Sequence, residues 1–381
     1  MCGSFLRKDG GCTRCGFPSA PAHGLDTAGG QPDASLTLVS GDGAIPEASQ
    51  ELTEPEPVND VAAFLAGLTT PLEPERDALP QWLAREIPDP DPGFVMTSVA
   101  EKILKGLKGV LAMRWSVMQR GHAASGTWPS KMSGRAWGLY GPPGTGKNAA
   151  IKELAAVLEL PYVEEDVSAS SDFARLIGEV VLENGSTRAQ LGKIGQALVS
   201  GGVAVINEVV SADPEIQTAL HQAAQDGILT IPGPEGAEMA YRIHPNSLLF
   251  LTWNPAGGTA DRPTEALTER LMTLPVGLPG EEEERQMLVN RLNADFGLAL
   301  TPEDVREDVA FFREMRGLAQ QGRLAREPGF RTLVSFTALR RATGDPRYAM
   351  EQVLISADQD PLDLAAVTDE IATMYLGRHQ W

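Results

Sequence analysis

Cysteine is nearly absent. The 381 residues hold three, and Cys2, Cys12 and Cys15 all fall within the first fifteen positions. A disulfide framework for the body of the chain is thereby excluded. Long apolar runs are missing as well: no stretch reaches the ~18 consecutive apolar residues that a membrane-spanning helix needs. The opening segment MCGSFLRKDGGCTRCG lacks the apolar core of a secretory signal. The expectation is a cytoplasmic protein without membrane insertion. Positive charge is scarce, with 32 Lys and Arg against 51 Asp and Glu and a formal net charge of −19. That balance argues against a broad, sequence-independent nucleic-acid footprint, which needs clustered cations, and favours solubility. A local basic surface in an oligomer is still compatible with it. Lysine does not recur after Lys193, a bias that GC-rich codons are enough to explain.

What is present divides the chain into segments. Residues 1–30 contain Cys12-x-x-Cys15, with Cys2 upstream and His23 downstream. Two thiolates at that spacing can grip one face of a tetrahedral Zn2+, and Cys2 and His23 would complete a zinc knuckle. The alternative is a flexible tail with incidental thiols. Residues 31–92 form an acidic, Pro/Gly-rich linker, and residues 1–92 together carry 15 acidic and 5 basic side chains. Such composition buries too little apolar surface to offset ordering entropy, so a disordered acidic N-terminal segment is expected. VNDVAAFLAGL is its apolar island and reads as a short helix capped by Asn59 or Asp60.

Residues 93–278 read as an α/β nucleotide-binding domain with a preceding helix. In that helix Leu104, Leu107, Leu111, Trp115 and Met118 share one face. Lys102 and Lys105 point away from that face and Lys108 sits at its margin, either solvated or free to meet phosphate or acid. AWGLY, PYVEEDV, GGVAVINEV, SLLFLTWN and LMTLPVGL read as five strands alternating with helices, which implies a parallel sheet with ligands at its carboxyl edge. Asp213 caps the helix after the third strand and Pro214 occupies its first position. Two hairpins interrupt the scheme, one at Asn184-Gly185 and one around Gly233–Gly236. Residues 279–381 are helical throughout.

The most specific signal is GPPGTGKN, comprising Gly141, Pro142, Pro143, Gly144, Thr145, Gly146, Lys147 and Asn148. Apolar strand before, helix after and G-x-x-x-x-G-K between make a phosphate-binding loop. Its backbone N–H groups and the helix N-terminus cradle phosphates, and Lys147 adds a mobile cation. The hydroxyl expected next, which touches Mg2+, is replaced by Asn148. The third strand ends in Asn207-Glu208, where an acidic pair would serve the metal and polarise the attacking water. Glu208 is the candidate general base, and Asn207 replaces the other acid. The fourth strand ends in Asn254-Pro255. Asn254 can orient the water, or simply form the turn.

In family order, the segments GPPGTGK, LIGEVVLENG, GGVAVINEVVSADPEIQTAL, HPNSLLFLTWNP, EALTERL and FRTLVSFTALRRA resemble a MoxR-type AAA+ ATPase close to the CbbQ and NorQ branch, in the helix-2-insert clade. The resemblance implies a P-loop NTPase core with a parallel sheet, followed by an all-helical AAA+ lid. It implies ATP rather than GTP, and a homo-oligomeric ring, usually a hexamer, with ATP between subunits. Arg270 would then be the arginine finger, Asn254 sensor 1 and Arg331 sensor 2, and the hairpins the helix-2 and pre-sensor-1 insertions. The client in that family often carries a von Willebrand A domain. Read without the resemblance, Arg270 is a helix-end cation, poorly placed to pair with Glu265 or Glu269, and Arg331 a capping or solvated side chain.

Asn148 and Asn207 both fall at magnesium-handling positions, so a weakened Mg2+ site and slow hydrolysis are expected. Three functions follow from this reading. The first is a ring-forming chaperone or remodeller of a partner protein. The second is a catalytically impaired scaffold whose ATP-dependent assembly is the output. The third, which the acidity disfavours, is a DNA-handling motor.

Overall fold

The computed structural model describes residues 60–72, 79–126, 134–183, 185–255, 263–321 and 327–355. The zinc ligands proposed from sequence, Cys2, Cys12, Cys15 and His23, lie outside the described residues, as does the linker up to residue 59.

Helix α1 (Val61–Phe64) is capped by Asp60, whose carboxylate accepts from the Ala63 N–H at 3.0 Å. Helix α2 (Gln81–Ala84) follows, then the long α3 (Ser98–Ser125), capped by Thr97 and closed at Gly126 with φ +69°. The stripe expected on α3 is its core face: Leu104, Leu107, Leu111, Trp115 and Met118 are all buried. Lys108 is engaged by backbone and ring and by no acid among the described residues. It donates to the Phe64 carbonyl at 2.6 Å and lies over the Phe64 ring, tying α1 to α3.

The described part of the acidic segment is not a free tether. Val61, Leu65 and Leu68 join the core beneath α3 and α4, and Leu83 is fully buried on the opposite face of the sheet. Each such side chain contributes about 1.5–3 kcal/mol by leaving water, which offsets the ordering cost that composition alone suggested would prevail.

The α/β region then runs β1 (Ala136–Tyr140), α4 (Lys147–Val157), β2 (Tyr162–Asp166), α5 (Phe173–Leu176), β3 (Gly178–Glu183), β4 (Ser186–Leu191), α6 (Lys193–Ser200), β5 (Val203–Asn207), α7 (Pro214–Asp226), β6 (Ile228–Pro232), β7 (Glu238–Arg242), β8 (Leu248–Trp253), α8 (Glu265–Thr268) and β9 (Met272–Pro275). Five strands form one parallel sheet in the order β2-β5-β8-β1-β9. The pairs β3–β4 and β6–β7 are the two antiparallel hairpins read from sequence.

The continuous apolar runs of β5 and β8 serve two layers, because successive side chains face opposite sides. Val203, Val205, Leu248 and Phe250 pack against α3 and α4, whereas Ala204, Ile206, Leu249 and Leu251 pack beneath α6 and α7. Asp213 caps α7 and Pro214 opens it, as expected.

The C-terminal part is helical: α9 (Glu281–Phe296), α10 (Arg306–Gln320), α11 (Phe330–Thr343) and α12 (Pro346–Met350). They enclose Leu288, Leu292, Phe312, Met315, Leu333 and Phe336. Two buried carboxylates fix the helices: Glu284 pairs with Arg316 at 2.6 Å, and Asp308 accepts from Arg340 at 2.7 Å twice. The lid is anchored to the segment before and at the start of α3, by Arg291 on Asp91 at 2.6 Å and by Ser98 Oγ on Glu283 at 2.9 Å. No helix among the described residues is long and apolar enough to cross a membrane.

Candidate functional site

The carboxyl edge of the sheet gathers the ends of β1, β5 and β8. After β1 the chain reverses at Gly141, φ +151°, where a Cβ would stand 1.8 Å from the Val276 carbonyl oxygen. Gly144, φ +76°, leaves no room either: a Cβ would lie 2.5 Å from the Phe330 nitrogen at the start of α11. The loop is thus pressed between the strand edge and the lid, and only glycine fits at both positions.

Gly146, φ +84°, caps α4. The first N–H bonded inside that helix is Ala150, to the Gly146 carbonyl at 3.0 Å. The amides of Lys147, Asn148 and Ala149 therefore lack intrahelical acceptors and are suited to an anion. Thr145 is buried and donates to the Pro142 carbonyl at 3.2 Å, while Pro143 is exposed.

Lys147 folds back over the loop. Its Nζ donates to the carbonyls of Gly141 at 2.9 Å and Pro142 at 2.8 Å. Burial pulls its pKa down to about 8, against the opposing pull of the Glu208 carboxylate. An oligophosphate arriving at this loop meets a cation already held among its backbone groups.

Asn148 and Asn207 are direct partners. Asn148 Nδ2 donates to Asn207 Oδ1 at 2.9 Å and to Glu164 Oε1 at 2.6 Å. Asn207 is buried and fully used. Its Nδ2 donates to Glu164 at 2.7 Å and Asp166 at 2.8 Å, and its Oδ1 also accepts from Thr252 Oγ1 at 2.7 Å. Tyr162 donates to the second Glu164 oxygen at 2.6 Å. Burial, with the adjacent Glu164, raises the Tyr162 pKa and keeps it a donor.

Sequence reasoning missed Glu164, Asp166, Tyr162 and Thr252. The signal was present: Tyr162, Glu164 and Asp166 alternate along β2 and share one face, ending opposite Asn207 in the β2–β5 register.

Glu208 follows β5 in a left-handed conformation, φ +54° and ψ +40°, with its carboxylate exposed. That geometry costs a non-glycine residue about 1–2 kcal/mol, and it turns the chain out of the sheet so that the carboxylate stands at the edge. Asn254 follows β8 directly, between the β5 and β1 ends, half-buried and without a hydrogen bond to another described residue. Arg331 is the second residue of α11, exposed, next to the Phe330 that touches Gly144.

Arg270 is not brought to its own chain's loop. Its Nε donates to Gln225 at 2.6 Å and its Nη1 to the Ala266 carbonyl at 2.7 Å. Contrary to the spacing argument, it also pairs with Glu269 at 3.5 Å. Helix-neighbour geometry does not govern that contact, because α8 ends at Thr268.

The loop fits a nucleotide phosphate chain in shape and in donors. For the cation, the donor set is that of a hard ion: Asn148 Oδ1 has no hydrogen bond to a described residue, Glu164 stands one hydrogen bond behind that side chain, and Asp166 lies beyond it through Asn207. Among the described residues no three His, Cys, Asp or Glu side chains converge as a metal cage, since amides occupy the positions nearest the loop.

Residues 138–271 match the AAA domain of the dynein-related subfamily. The denitrification regulatory protein NirQ of Stutzerimonas stutzeri is 26% identical over 239 residues, 61% of this chain and 82% of that protein. Protein NorQ of Paracoccus denitrificans is 30% identical over 121 residues, 31% of this chain and 43% of its own. The gas vesicle ATPase GvpN of Haloferax mediterranei is 26% identical over 202 residues, 48% and 57% respectively. The phosphate loop, the parallel sheet with both hairpins, the helical region behind it and these likenesses agree: residues 138–271 form an AAA domain, and the chain is similar to the NirQ, NorQ and GvpN proteins.

Proposed function

We propose that the chain binds ATP with Mg2+ at the Gly141–Asn148 loop, assembles into a cytoplasmic ring, hexameric by family habit, and uses slow hydrolysis to remodel a client protein. A client with a von Willebrand A domain suits that habit. The observation that carries this reading is Glu208 in its strained turn beside Lys147, with Asn254 between the two strand ends and without a hydrogen bond to another described residue. Strain of that kind persists where surrounding structure enforces it, and it clusters at reactive sites. Asn254 is assigned as sensor 1, Arg331 as sensor 2 at the lid, and Arg270 as the finger for a neighbour's γ-phosphate.

The slow rate rests on the amides. Neither Asn148 nor Asn207 carries charge, and Mg2+ sites ordinarily include carboxylate help. The Asn148–Asn207 hydrogen bond also favours a second reading, a scaffold whose ATP-dependent assembly is the output.

Phosphate release across a Mg2+ titration tests the first reading, with particle mass followed with and without ATP. Wild-type protein is expected to turn over slowly and to need more Mg2+ than an Asn148→Thr variant. Glu208→Gln is expected to stop turnover but keep ATP-dependent assembly. Wild-type release indistinguishable from that of Glu208→Gln would leave the scaffold.

A further inference from the structure

The hydrogen bonds around the Asn148–Asn207 pair fix the orientation of both side-chain amides. Carboxylates only accept. Glu164 and Asp166 therefore force Asn207 to turn its Nδ2 toward β2, at 2.7 and 2.8 Å. Its Oδ1 must then face α4 and β8, where it accepts from Thr252 at 2.7 Å and from Asn148 at 2.9 Å. Asn148 is left one choice. Both of its Nδ2 hydrogens are taken, by Asn207 Oδ1 and by Glu164 Oε1 at 2.6 Å. Its carbonyl oxygen is the atom without a partner among the described residues, at the second position of the helix that follows the phosphate loop.

We propose that Glu164 is a positioning residue for the divalent cation of the nucleotide site: directly, and through Asn207, it turns Asn148 so that the carbonyl oxygen and not the NH2 is offered to the metal. An NH2 there would repel a cation, whereas a carbonyl oxygen is a hard neutral ligand. Glu164 also brings to this corner a negative charge that Asn207 does not carry. Tyr162 holds the far carboxylate oxygen at 2.6 Å and keeps the near one aimed at both amides. The carboxylates nearest the amide pair stand on β2 and not at position 207, where an acid would stand against two others.

This inference rests on the nucleotide-site reading, and the test separates the two. The full-length chain is saturated with AMP-PNP, and Mn2+ binding is followed by loss of the free-ion EPR signal. AMP-PNP binding in EDTA is measured alongside. Glu164→Gln, which can donate as well as accept, releases the constraint on Asn148. It is expected to weaken Mn2+ about tenfold, the lower end for loss of an outer-shell partner, with AMP-PNP binding in EDTA retained. The discriminating measurement repeats the substitution in an Asn148→Thr background. A hydroxyl needs no amide orientation, so there the effect of Glu164→Gln should shrink to less than about twofold, on the same scale.

Equal Mn2+ affinity in wild type and Glu164→Gln overturns the proposal. So does the same loss in both backgrounds, which would make Glu164 a bulk charge. Glu164→Ala is carried in parallel: failure of both variants to hold AMP-PNP in EDTA would show Glu164 to be holding the loop, and overturns the positioning role as well. A wild-type chain that holds no AMP-PNP in EDTA overturns the nucleotide-site reading and this inference with it.

Discussion

Asn148 and Asn207, 59 positions apart in the chain, share a hydrogen bond of 2.9 Å at the carboxyl edge of the sheet. Each alone looks like the loss of a magnesium-handling group. Together they form a closed amide network whose remaining bonds end on Thr252 and on two carboxylates of β2. The substitutions are coupled: either position, restored to the residue a typical phosphate-loop enzyme has, breaks bonds made by the other.

Restoring the acid at 207 alone should therefore cost stability. Asn207→Asp removes two N–H donors and sets a third carboxylate within 2.8 Å of Asp166 and 2.7 Å of Glu164. A buried group losing its partners costs about 1–3 kcal/mol, more when charged. The melting temperature in EDTA should fall accordingly, and Mg2+ with AMP-PNP should recover more of it than in wild type, because a cation neutralises the cluster. A variant as stable as wild type in EDTA would refute the coupling.

Lys147 gives the site a pH signature. Burial lowers its folded pKa from 10.5 to about 8. A triphosphate binds the protonated form, so metal-free ATP affinity should be flat below pH 8 and fall above it by up to about tenfold per pH unit. Calorimetry at pH 8.5 in two buffers of different ionisation enthalpy should show proton uptake on binding, and Lys147→Arg should abolish it. Folding follows the opposite sense. Between about pH 8 and 10.5 the unfolded chain holds more protons than the folded one, so this group's contribution makes stability rise with pH across that window.

Much of this was legible in the sequence, for identifiable reasons. Apolar strand runs, a capping side chain at Asp60 (one of two candidates) and at Asp213, and the two hairpins are local signals, and each has its predicted place. The amide network was not legible, because it depends on β2 lying beside β5, and strand alternation does not specify sheet order. The E-x-D face of β2 could be read from spacing, but its neighbour could not. Leu83 was missed for a different reason: α2 is four residues long, too short to show a helical period inside a Pro-rich acidic stretch.

The loop glycines should separate crowding from conformation. Gly144→Ala meets the Phe330 backbone at 2.5 Å, which cannot yield without moving the lid, and φ is +76° besides. Gly146→Ala faces open space at φ +84° and pays only the left-handed cost, about 1–2 kcal/mol. Gly144→Ala should accordingly lower the melting temperature more and also weaken AMP-PNP binding, by displacing α11 and Arg331. Equal losses in the two variants would mean that α11 does not press on the loop in solution.

Arg270 tests the ring itself. In its own chain the guanidinium is held by Gln225, the Ala266 carbonyl and Glu269, none of which belongs to the phosphate loop. Arg270→Ala should leave AMP-PNP binding intact and cut phosphate release on the order of 10³-fold, the low end for an arginine finger. Glu208→Gln should be equally silent, yet a mixture of the two inactive chains should regain activity. Where an Arg270→Ala chain holds the nucleotide beside a Glu208→Gln neighbour, the base comes from the first and the finger from the second, and that interface is complete. Were Arg270 to act within its own chain, no mixture would recover any activity, because every site would lack one of the two groups.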